Sequence, residues 1–245
     1  MTIKYHPDLV QGSDEWLAAR CGLLTASEMK LIISPPPEPE TRIKKNGEPY
    51  KQREWEPAAD NEKCRAHMWE LMAQRITNYV EPQYWSADML RGAEDEVEAC
   101  ALYAKNYAPV QSVGFITNDR WGFTIGYSPD ALVGDDGLVE CKGRRQRFQT
   151  ETIETLEVPS EFMIQCQTGL LVSERKWIDF VSFSGGLPMA TIRVLPDPII
   201  QDAIIVAATA FEVRLTEKMA AYKARLKSSA RLLPTERRIV QEMYV

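Results

Sequence analysis

Histidine and closely spaced cysteines, which build most transition-metal centres, are scarce in this sequence. The chain has only His6 and His67, and its five cysteines are widely separated and never form a Cys-x-x-Cys pair. Neither a disulfide framework nor a zinc site is therefore expected. Any bound metal should have carboxylate ligands, which suit a hard ion such as Mg²⁺ or Mn²⁺.

Long apolar runs are also missing. No stretch reaches the roughly 18 consecutive apolar residues of a membrane-spanning helix, and the N-terminal segment lacks a secretory apolar core. We therefore expect a soluble, unexported, cytoplasmic protein with reduced thiols. Length and a hydrophobic content of 44% favour one domain over residues 1–245, with a loop insertion at 34–57 and a helical C-terminal region at 199–245.

The sequence has no overall excess of positive charge. Its formal net charge is −6, which argues against nucleic-acid binding because Lys and Arg supply the phosphate contacts. Two basic runs remain, at 42–53 and 142–147. A solvated loop is the simpler interpretation of each run, and the better one for the first.

The hydrophobic pattern predicts helices first, then hairpin strands, then helices and strands again. Capping signals predict a helix from Ser13 to Gly22 and a second helix from Thr25, where Glu28 completes a capping box. Further helices are predicted near 59–76, 86–107, 160–172 and 199–227 and at the C-terminus, and strands at 110–117, 121–127, 131–133, 138–142, 176–184 and 189–195. This order indicates an α/β (α+β) fold with a mixed central β-sheet flanked by helices.

Two of these helices have apolar positions at helical spacing. In the helix at 86–107, the predicted apolar face consists of Leu90, Val97, Ala101 and Leu102. In the helix at 199–227, the corresponding positions are Ile200, Ile204, Ala207, Phe211 and Leu215. Periodicity does not decide whether this second set packs inside the subunit or against a neighbour.

Two carboxylates and a lysine are predicted to meet at one hairpin. Asp130 precedes a strand, and Glu140 and Lys142 lie two residues apart on the next strand, so they share a face while Cys141 points away. A turn at 135–137 would bring them back beside Asp130. Such a group can hold Mg²⁺ and position a hydrolytic water. Acidic residues near a turn are also common on ordinary surfaces.

Two further polar residues are candidates for the same site. Glu96, on a predicted helix, offers a third carboxylate, although its acidic neighbours fit a solvated helix face equally well. Gln165 is a polar group in a largely apolar helix and could equally be a core amide bonded to backbone. Gln167 lies about 200° further round the helix, so it cannot face the same site as Gln165.

Six blocks of sequence, read together, are more specific than these carboxylates alone. They lie at 11–16, 20–28, 92–96, 128–130, 140–142 and 162–167. Their order and spacing resemble the lambda exonuclease or YqaJ-type viral recombinase family, a branch of the PD-(D/E)xK nucleases. The resemblance runs from about residue 11 to 172 and implies a restriction-endonuclease-like nuclease domain.

The resemblance implies a Mg²⁺-dependent 5′-to-3′ exonuclease of double-stranded DNA from a phage or prophage recombination system. Such an enzyme hydrolyses phosphodiesters from 5′-phosphorylated ends, leaves 3′ single-stranded overhangs, and accepts Mn²⁺ as a possible substitute. It would form a homotrimeric ring and work with a single-strand annealing protein in a bacterial or phage-infected cytoplasm. The alternatives are an endonuclease or single-strand exonuclease of the same fold, and a non-catalytic DNA-binding phage protein.

The resemblance also implies roles for individual residues. The implied catalytic residues are Asp130, Glu140, Lys142, Glu96 and Gln165. Lys142 would orient or deprotonate the attacking water, with Gln165 assisting. The implied metal ligands are Glu96, Asp130, Glu140 and Cys141. The implied contacts to the 5′ phosphate and the DNA are Arg20, Ser27, Ser128, Arg147 and Trp16.

The sequence departs from the family pattern at two places. Phe162 stands where the family usually has Tyr, which removes a hydroxyl but keeps the packing. After Lys142 the usual Pro is missing, and the phosphate-binding Arg that normally follows has three candidates. These are Arg147, which is nearest in spacing, Arg144 and Arg145.

Overall fold

The computed structural model describes residues 2–35, 55–82 and 86–237, which contain eight strands and six α-helices. The first elements are β1 (Ile3–His6), α1 (Asp14–Arg20), β2 (Leu24–Thr25), α2 (Glu62–Thr77), α3 (Ala87–Asn106), β3 (Phe115–Asn118) and β4 (Ile125–Tyr127). They are followed by β5 (Ala131–Val133), β6 (Gly137–Gly143), α4 (Gln146–Thr155), α5 (Ser160–Ser173), β7 (Trp177–Phe183), β8 (Ala190–Val194) and α6 (Pro198–Leu226). The predicted mixed α/β fold class is confirmed.

The strands form two mixed sheets of four strands each. The first has the order β1-β3-β4-β2, in which only β2 and β4 are parallel. The second has the order β5-β6-β7-β8, in which β6 and β7 run parallel over seven paired residues. A parallel pair needs a long crossover, and α4 and α5 supply it.

The predicted hairpin at the start of the second sheet is confirmed. Strands β5 and β6 pair antiparallel, with Ala131 opposite Val139 and Val133 opposite Gly137. Gly134 adopts a positive φ of 51° in the turn, which glycine tolerates without strain. The guanidinium of Arg175 donates to the carbonyl oxygens of Gly134 and Gly137 at 2.9 and 2.7 Å, which fixes the turn against the next strand.

Helix α6 packs inside the subunit, which answers the question that its periodicity left open. Asp197 caps its first turn by accepting from the N–H groups of Ile199 and Ile200, and Pro198 occupies the first helical position. Its apolar side then enters the main core with α2 and α5. The fully buried positions are Ile204, Ala207, Phe211 and Leu215, and Ile200 is partly buried beside them.

The predicted apolar face of α3 is wrong except at Leu102, which is partly buried against the core. Leu90 and Val97 are 52% and 73% exposed, whereas Ala99 and Tyr103 are buried. The helix packs on β6 through small and polar side chains together with Leu102. The hydroxyl of Tyr103 donates to the buried carboxylate of Asp179 at 2.6 Å, which satisfies a polar group in this interface.

The capping box predicted at Thr25 and Glu28 does not start a helix. Thr25 belongs to β2 and pairs with Gly126, and only a 3₁₀ turn, Met29–Leu31, follows. The hydroxyl of Thr25 donates to the carboxylate of Glu28 at 2.6 Å, so the two residues interact, but within a strand-to-turn connection. Ser27 therefore does not lie at an α-helix N-terminus.

The ends of the predicted insertion meet, although residues 36–54 lie outside the described ranges. Ile33 and Ala58 form an antiparallel bridge, and the N–H of Ser34 donates to the carbonyl of Pro57 at 2.6 Å. The chain thus leaves and returns at one place.

The predicted helical C-terminal region ends at Leu226. The described residues 228–237 are not helical, and the prediction for 238–245 lies outside the described part. Among the described helices, none combines the length and apolarity needed to cross a membrane.

Candidate active site

The hairpin places Asp130 beside β6 as the sequence predicts. The N–H of Cys141 donates to Asp130 Oδ2 at 2.6 Å. Glu140 and Lys142 share one face of β6, while the Cys141 side chain lies in a separate apolar cluster on the other face. Alternation along a single strand thus separates the functional face from a packing face.

Glu140 is the centre of the site. Its side chain is buried, with Oε2 accepting from the hydroxyl of Tyr127 at 2.8 Å. Oε1 lies 2.8 Å from Lys142 Nζ and also accepts from the amide of Gln165. Gln167 instead donates to the carbonyl of Leu195, so the predicted separation of the two glutamines is confirmed.

Glu96 faces the same site from α3. Its Oε1 lies 3.3 Å from Lys142 Nζ, whereas the neighbouring Glu94 and Glu98 are exposed. Residues from α3, β4, β6 and α5 therefore converge with Asp130 around one lysine. The sequence had left Glu96 open between a site ligand and a solvated helix face, and the geometry places it in the cluster.

The cluster carries more negative than positive charge. Burial, and then the neighbouring Glu140, raise the pKa of Asp130 well above its usual value. Burial also raises the pKa of Glu96, and Lys142 partly opposes this rise. Burial would lower the pKa of Lys142, but the surrounding carboxylates raise it well above its usual value, so its amine is held protonated. Three carboxylates surround one ammonium group.

The donor set fits a hard divalent cation. Within the described residues, no three His, Cys, Asp or Glu side chains are already drawn together as a metal site, and Lys142 Nζ contacts both Glu140 and Glu96. The carboxylate oxygens of Glu96, Asp130 and Glu140 nevertheless match the preference of Mg²⁺ and would gain from an added positive charge. The thiol of Cys141 points away, so this residue offers the cluster only backbone groups: its N–H donates to Asp130, and its carbonyl oxygen accepts from Lys142 Nζ at 2.9 Å.

A polar pocket lies next to the carboxylates. Its lining residues are Arg20, Thr25, Ala26, Ser27, Phe115, Tyr127, Ser128 and Gln165. The structure thus brings together Arg20, Ser27 and Ser128 from three separate segments, as the resemblance implied. Tyr127 and Gln165 line the pocket and also bond Glu140, so the two sites share a wall.

Trp16 supports this pocket from behind. Its indole N–H donates to Ser128 Oγ at 2.9 Å, and the guanidinium of Arg20 lies 4.4 Å from its ring centroid. Arg20 also donates to Thr25 Oγ1 at 3.3 Å and lies 3.5 Å from the Glu28 carboxylate. Trp16 is not itself among the pocket-lining residues.

The three candidate arginines after β6 have different environments. Arg144 is buried, with its guanidinium about equally far from the rings of Phe148 and Phe162, at 4.9 and 5.0 Å. It donates to Glu161 at 2.6 Å, but its Nε has no partner among the described residues. Arg145 pairs with Asp88, and Arg147 is exposed over Phe148. None of the three lines the pocket.

Sequence reasoning missed Tyr127 and Thr25. Tyr127 lies just before the sequence block at 128–130, and the local pattern predicts only a strand there. Thr25 was interpreted as a helix cap. Both roles depend on the pairing of β2 with β4, a contact between residues about 100 apart in sequence, which no local pattern predicts.

The close approach of α3 to β6 gives a first prediction. A Cβ at Gly143 would lie 2.7 Å from Asp95 Cβ and 2.9 Å from Gly92 Cα, so Gly143→Ala must push the helix that carries Glu96 away from the strand. We expect a loss of unfolding free energy of about 1–3 kcal/mol, as for other overpacked sites. The activity of this site should fall further than stability explains. Thermal unfolding and initial reaction rates measure the two effects.

Gly92→Ala is the matched control because it tests the other side of the same contact. A Cβ at Gly92 meets no atom within 4 Å, so the variant should fold normally, with a more stable α3 by roughly 0.5–1 kcal/mol. Equal effects of the two substitutions would show that the contact between α3 and β6 does not require a residue without a Cβ at position 143.

Comparisons with known proteins identify the family of this chain. Residues 15–176 match the YqaJ-like viral recombinase domain. An alkaline exonuclease from Laribacter hongkongensis is similar with a TM-score of 0.71 and 29% identity over 88% of this chain and 98% of that chain. A structure of that exonuclease in complex with dAMP gives the same TM-score and coverage at 30% identity. No curated protein matches.

A phage-related exonuclease from Haemophilus somnus 129PT shares the fold. Its TM-score is 0.52 at 14% identity, over 82% of this chain and 96% of that chain. The family match and the fold together define a nuclease of the alkaline exonuclease type. The chain belongs to the YqaJ-like viral recombinase family.

Proposed function

We propose that the protein is a Mg²⁺-dependent 5′-to-3′ exonuclease of double-stranded DNA. The observation that carries this proposal is the wall shared by the polar pocket and the carboxylate cluster, formed by Tyr127 and Gln165. A terminal phosphate in the pocket would leave the next phosphodiester near Glu140. The structure of the Laribacter exonuclease in complex with dAMP supports binding of a nucleotide that carries a terminal phosphate.

Each group of residues has a separate task in this proposal. Arg20 clamps the 5′ phosphate with charge-assisted hydrogen bonds, while the hydroxyls of Ser27 and Ser128 donate to it. Trp16 holds Arg20 and Ser128 in position. Removal of nucleotides from this end produces the 3′ single-stranded overhang.

The carboxylates would hold the metal. Glu96, Asp130 and Glu140 are the proposed ligands, together with the carbonyl oxygen of Cys141. Bound Mg²⁺ supplies activation of water and stabilisation of the leaving oxygen, and Mn²⁺ has similar ligand preferences. Lys142, held protonated, orients the attacking water, and the amide of Gln165 fixes Glu140 through its hydrogen bond.

The basic segment after β6 is proposed to contact DNA beyond the first phosphate. Arg147 is exposed and free to meet a backbone phosphate from α4. Arg144 directly follows β6, two residues after Lys142, and its Nε has no partner within the described residues. Near the carboxylate cluster it is therefore a better candidate than Arg147 for a phosphate contact. Local positive charge of this kind offsets the net charge of −6 where DNA binds.

The assembly remains part of the proposal. We infer a single nuclease domain that forms a homotrimeric ring and works with a single-strand annealing protein in the cytoplasm of a bacterium or phage-infected host. An exposed apolar row at seven-residue spacing on α6, Ile199, Val206 and Val213, is a surface against which a second copy can pack. Light scattering of the purified protein would give the mass that decides between monomer and trimer.

Digestion of end-labelled DNA tests the proposed function. Linear duplex with and without a 5′ phosphate, and a closed circle, are incubated in Mg²⁺, Mn²⁺ or EDTA. We expect metal-dependent loss from phosphorylated 5′ ends and an intact circle. Cutting of the circle would indicate an endonuclease, and preference for single strands would indicate a single-strand exonuclease. Binding without digestion in either metal would favour the non-catalytic alternative.

The phosphate pocket makes its own prediction. Arg20→Gln should reduce the preference for 5′-phosphorylated over 5′-hydroxyl ends by about 10- to 100-fold, since a hydrogen bond to a charged group is worth about 1.5–3 kcal/mol. Competition between the two ends in one reaction measures the ratio directly. Arg120→Gln is the matched control because Arg120 also lies over a tryptophan, Trp121, and pairs with a glutamate, Glu174. A preserved ratio in Arg20→Gln would place the phosphate elsewhere.

A further inference from the structure

Two cysteines meet directly behind the carboxylate cluster. Cys141 lies between Glu140 and Lys142 on β6, and its Sγ is 3.4 Å from Sγ of Cys100 on α3. Cys141 is fully buried, whereas Cys100 is partly exposed. The pair therefore has one member that a small solute can reach and one that it cannot.

We propose that Cys100 and Cys141 are a peroxide-sensitive thiol pair whose reversible disulfide switches off the adjacent site. A disulfide needs an S–S distance of about 2.05 Å, so the sulfurs must approach by just over 1 Å. Both thiols belong to short side chains, and their sulfurs already lie 3.4 Å apart across the contact between α3 and β6, which places them within reach of a bond.

The chemistry balances with hydrogen peroxide as the oxidant. The Cys100 thiol loses its proton, the thiolate attacks one peroxide oxygen, and the O–O bond breaks to give a sulfenic acid and hydroxide, which takes up the released proton to form one water. The sulfur of Cys141 then attacks the sulfenic sulfur, the S–O bond breaks, and the hydroxyl leaves with a proton as a second water. Two thiols have lost two electrons and two protons, and a dithiol reductant reverses the reaction by thiol–disulfide exchange.

The position of the bond explains why it would inhibit. The peptide N–H of Cys141 donates to Asp130, and its carbonyl accepts from Lys142, so a shift of this residue moves both groups. Glu96 lies one helical turn before Cys100 and contacts the same lysine. A misplacement of about 1 Å can reduce catalysis by around 10²-fold. The inhibitory effect rests on the proposed nuclease function, but formation of the bond does not.

Peptide mass spectrometry and cleavage assays on the same samples test both parts. The full-length protein is treated with hydrogen peroxide, quenched with an alkylating reagent, and digested without reductant. We expect a cross-linked peptide pair containing Cys100 and Cys141 and at least a tenfold lower cleavage rate. Dithiothreitol should remove the cross-link and restore the rate. A cross-link without loss of activity would overturn the switch, and oxidation without this cross-link would overturn the pairing.

Cys100→Ser provides the decisive comparison. It removes the reactive thiol and replaces no residue of the proposed site, so it should keep its cleavage rate in peroxide. Cys21→Ser removes the other partly exposed cysteine and should stay as sensitive as the unmodified protein. If Cys100→Ser is inhibited equally, the inhibition arises elsewhere. If the untreated protein cleaves no DNA, the nuclease proposal fails, while the cross-link still reports on the thiol pair.

Discussion

Asp130→Asn is expected to lower the rate of DNA cleavage by about 10³-fold while leaving the fold intact. The substitution removes a negative charge from the proposed metal ligands, an electrostatic loss in the range of 10²–10³ or more for a preorganised group in an active site. In the unmodified protein, Asp130 accepts a 2.6 Å hydrogen bond from the N–H of Cys141, and the amide oxygen of Asn can still accept this bond. The hairpin should therefore keep its register.

Asp130→Ala removes this acceptor as well and is expected to abolish cleavage. Both variants should fold and bind duplex DNA, since the pocket around Arg20 does not include this residue. Cleavage rates in Mg²⁺, thermal unfolding and a DNA mobility shift separate the three properties. Asp136→Asn is the control, because Asp136 lies on the hairpin turn and pairs with exposed Lys176. Full cleavage by a folded Asp130→Asn variant would exclude Asp130 from the mechanism.

The part of this site that the sequence predicts correctly is the part with local geometry. Alternation along β6 and a glycine-containing turn determine which residues of 130–142 share a face, because a hairpin folds adjacent residues onto each other. The same holds for the opposed directions of Gln165 and Gln167 on α5, which follow from helical rotation alone. No distant contact is needed for either inference.

The errors arise where a distant partner outweighs a local signal. Thr25 and Glu28 satisfy a capping pattern, yet Thr25 lies in β2 and pairs with Gly126 of β4. A four-residue pattern cannot predict this backbone interaction between distant segments. Helix α4 was not predicted, since its residues are polar. Its buried Gln149 donates to the carbonyl of Ser182, so a polar side chain of this helix bonds to β7.

The prediction of the apolar face of α3 is wrong for a reason connected to the proposed function. The positions that contact β6 include Glu96 and Cys100, which the hydrophobic pattern treats as solvent-facing or neutral. A helix that supplies a carboxylate to a buried acidic cluster must bury polar side chains, and a hydrophobic pattern assigns such positions to solvent. Local rules are expected to fail at functional positions of this kind.

The second large effect is expected for Lys142→Met. The ammonium group lies 2.8 Å from Glu140 and 3.3 Å from Glu96, and is the cation that the three carboxylates share. Its removal takes away the group proposed to orient the attacking water, so the cleavage rate should fall by about 10²–10³-fold. Lys142→Arg should recover only part of this rate, because a planar guanidinium does not replace a compact ammonium.

Stability provides the distinguishing measurement for Lys142→Met. Breaking a buried ion pair typically costs about 3–5 kcal/mol, so the metal-free variant should unfold at a lower temperature. Without the competing ammonium, the carboxylates should bind Mg²⁺ more tightly, and added Mg²⁺ should raise the unfolding temperature more than in the unmodified protein. Lys176→Met, at an exposed pair with Asp136, should show neither change. If added Mg²⁺ raises the unfolding temperature of the variant no more than that of the unmodified protein, Lys142 and the metal do not share these carboxylates.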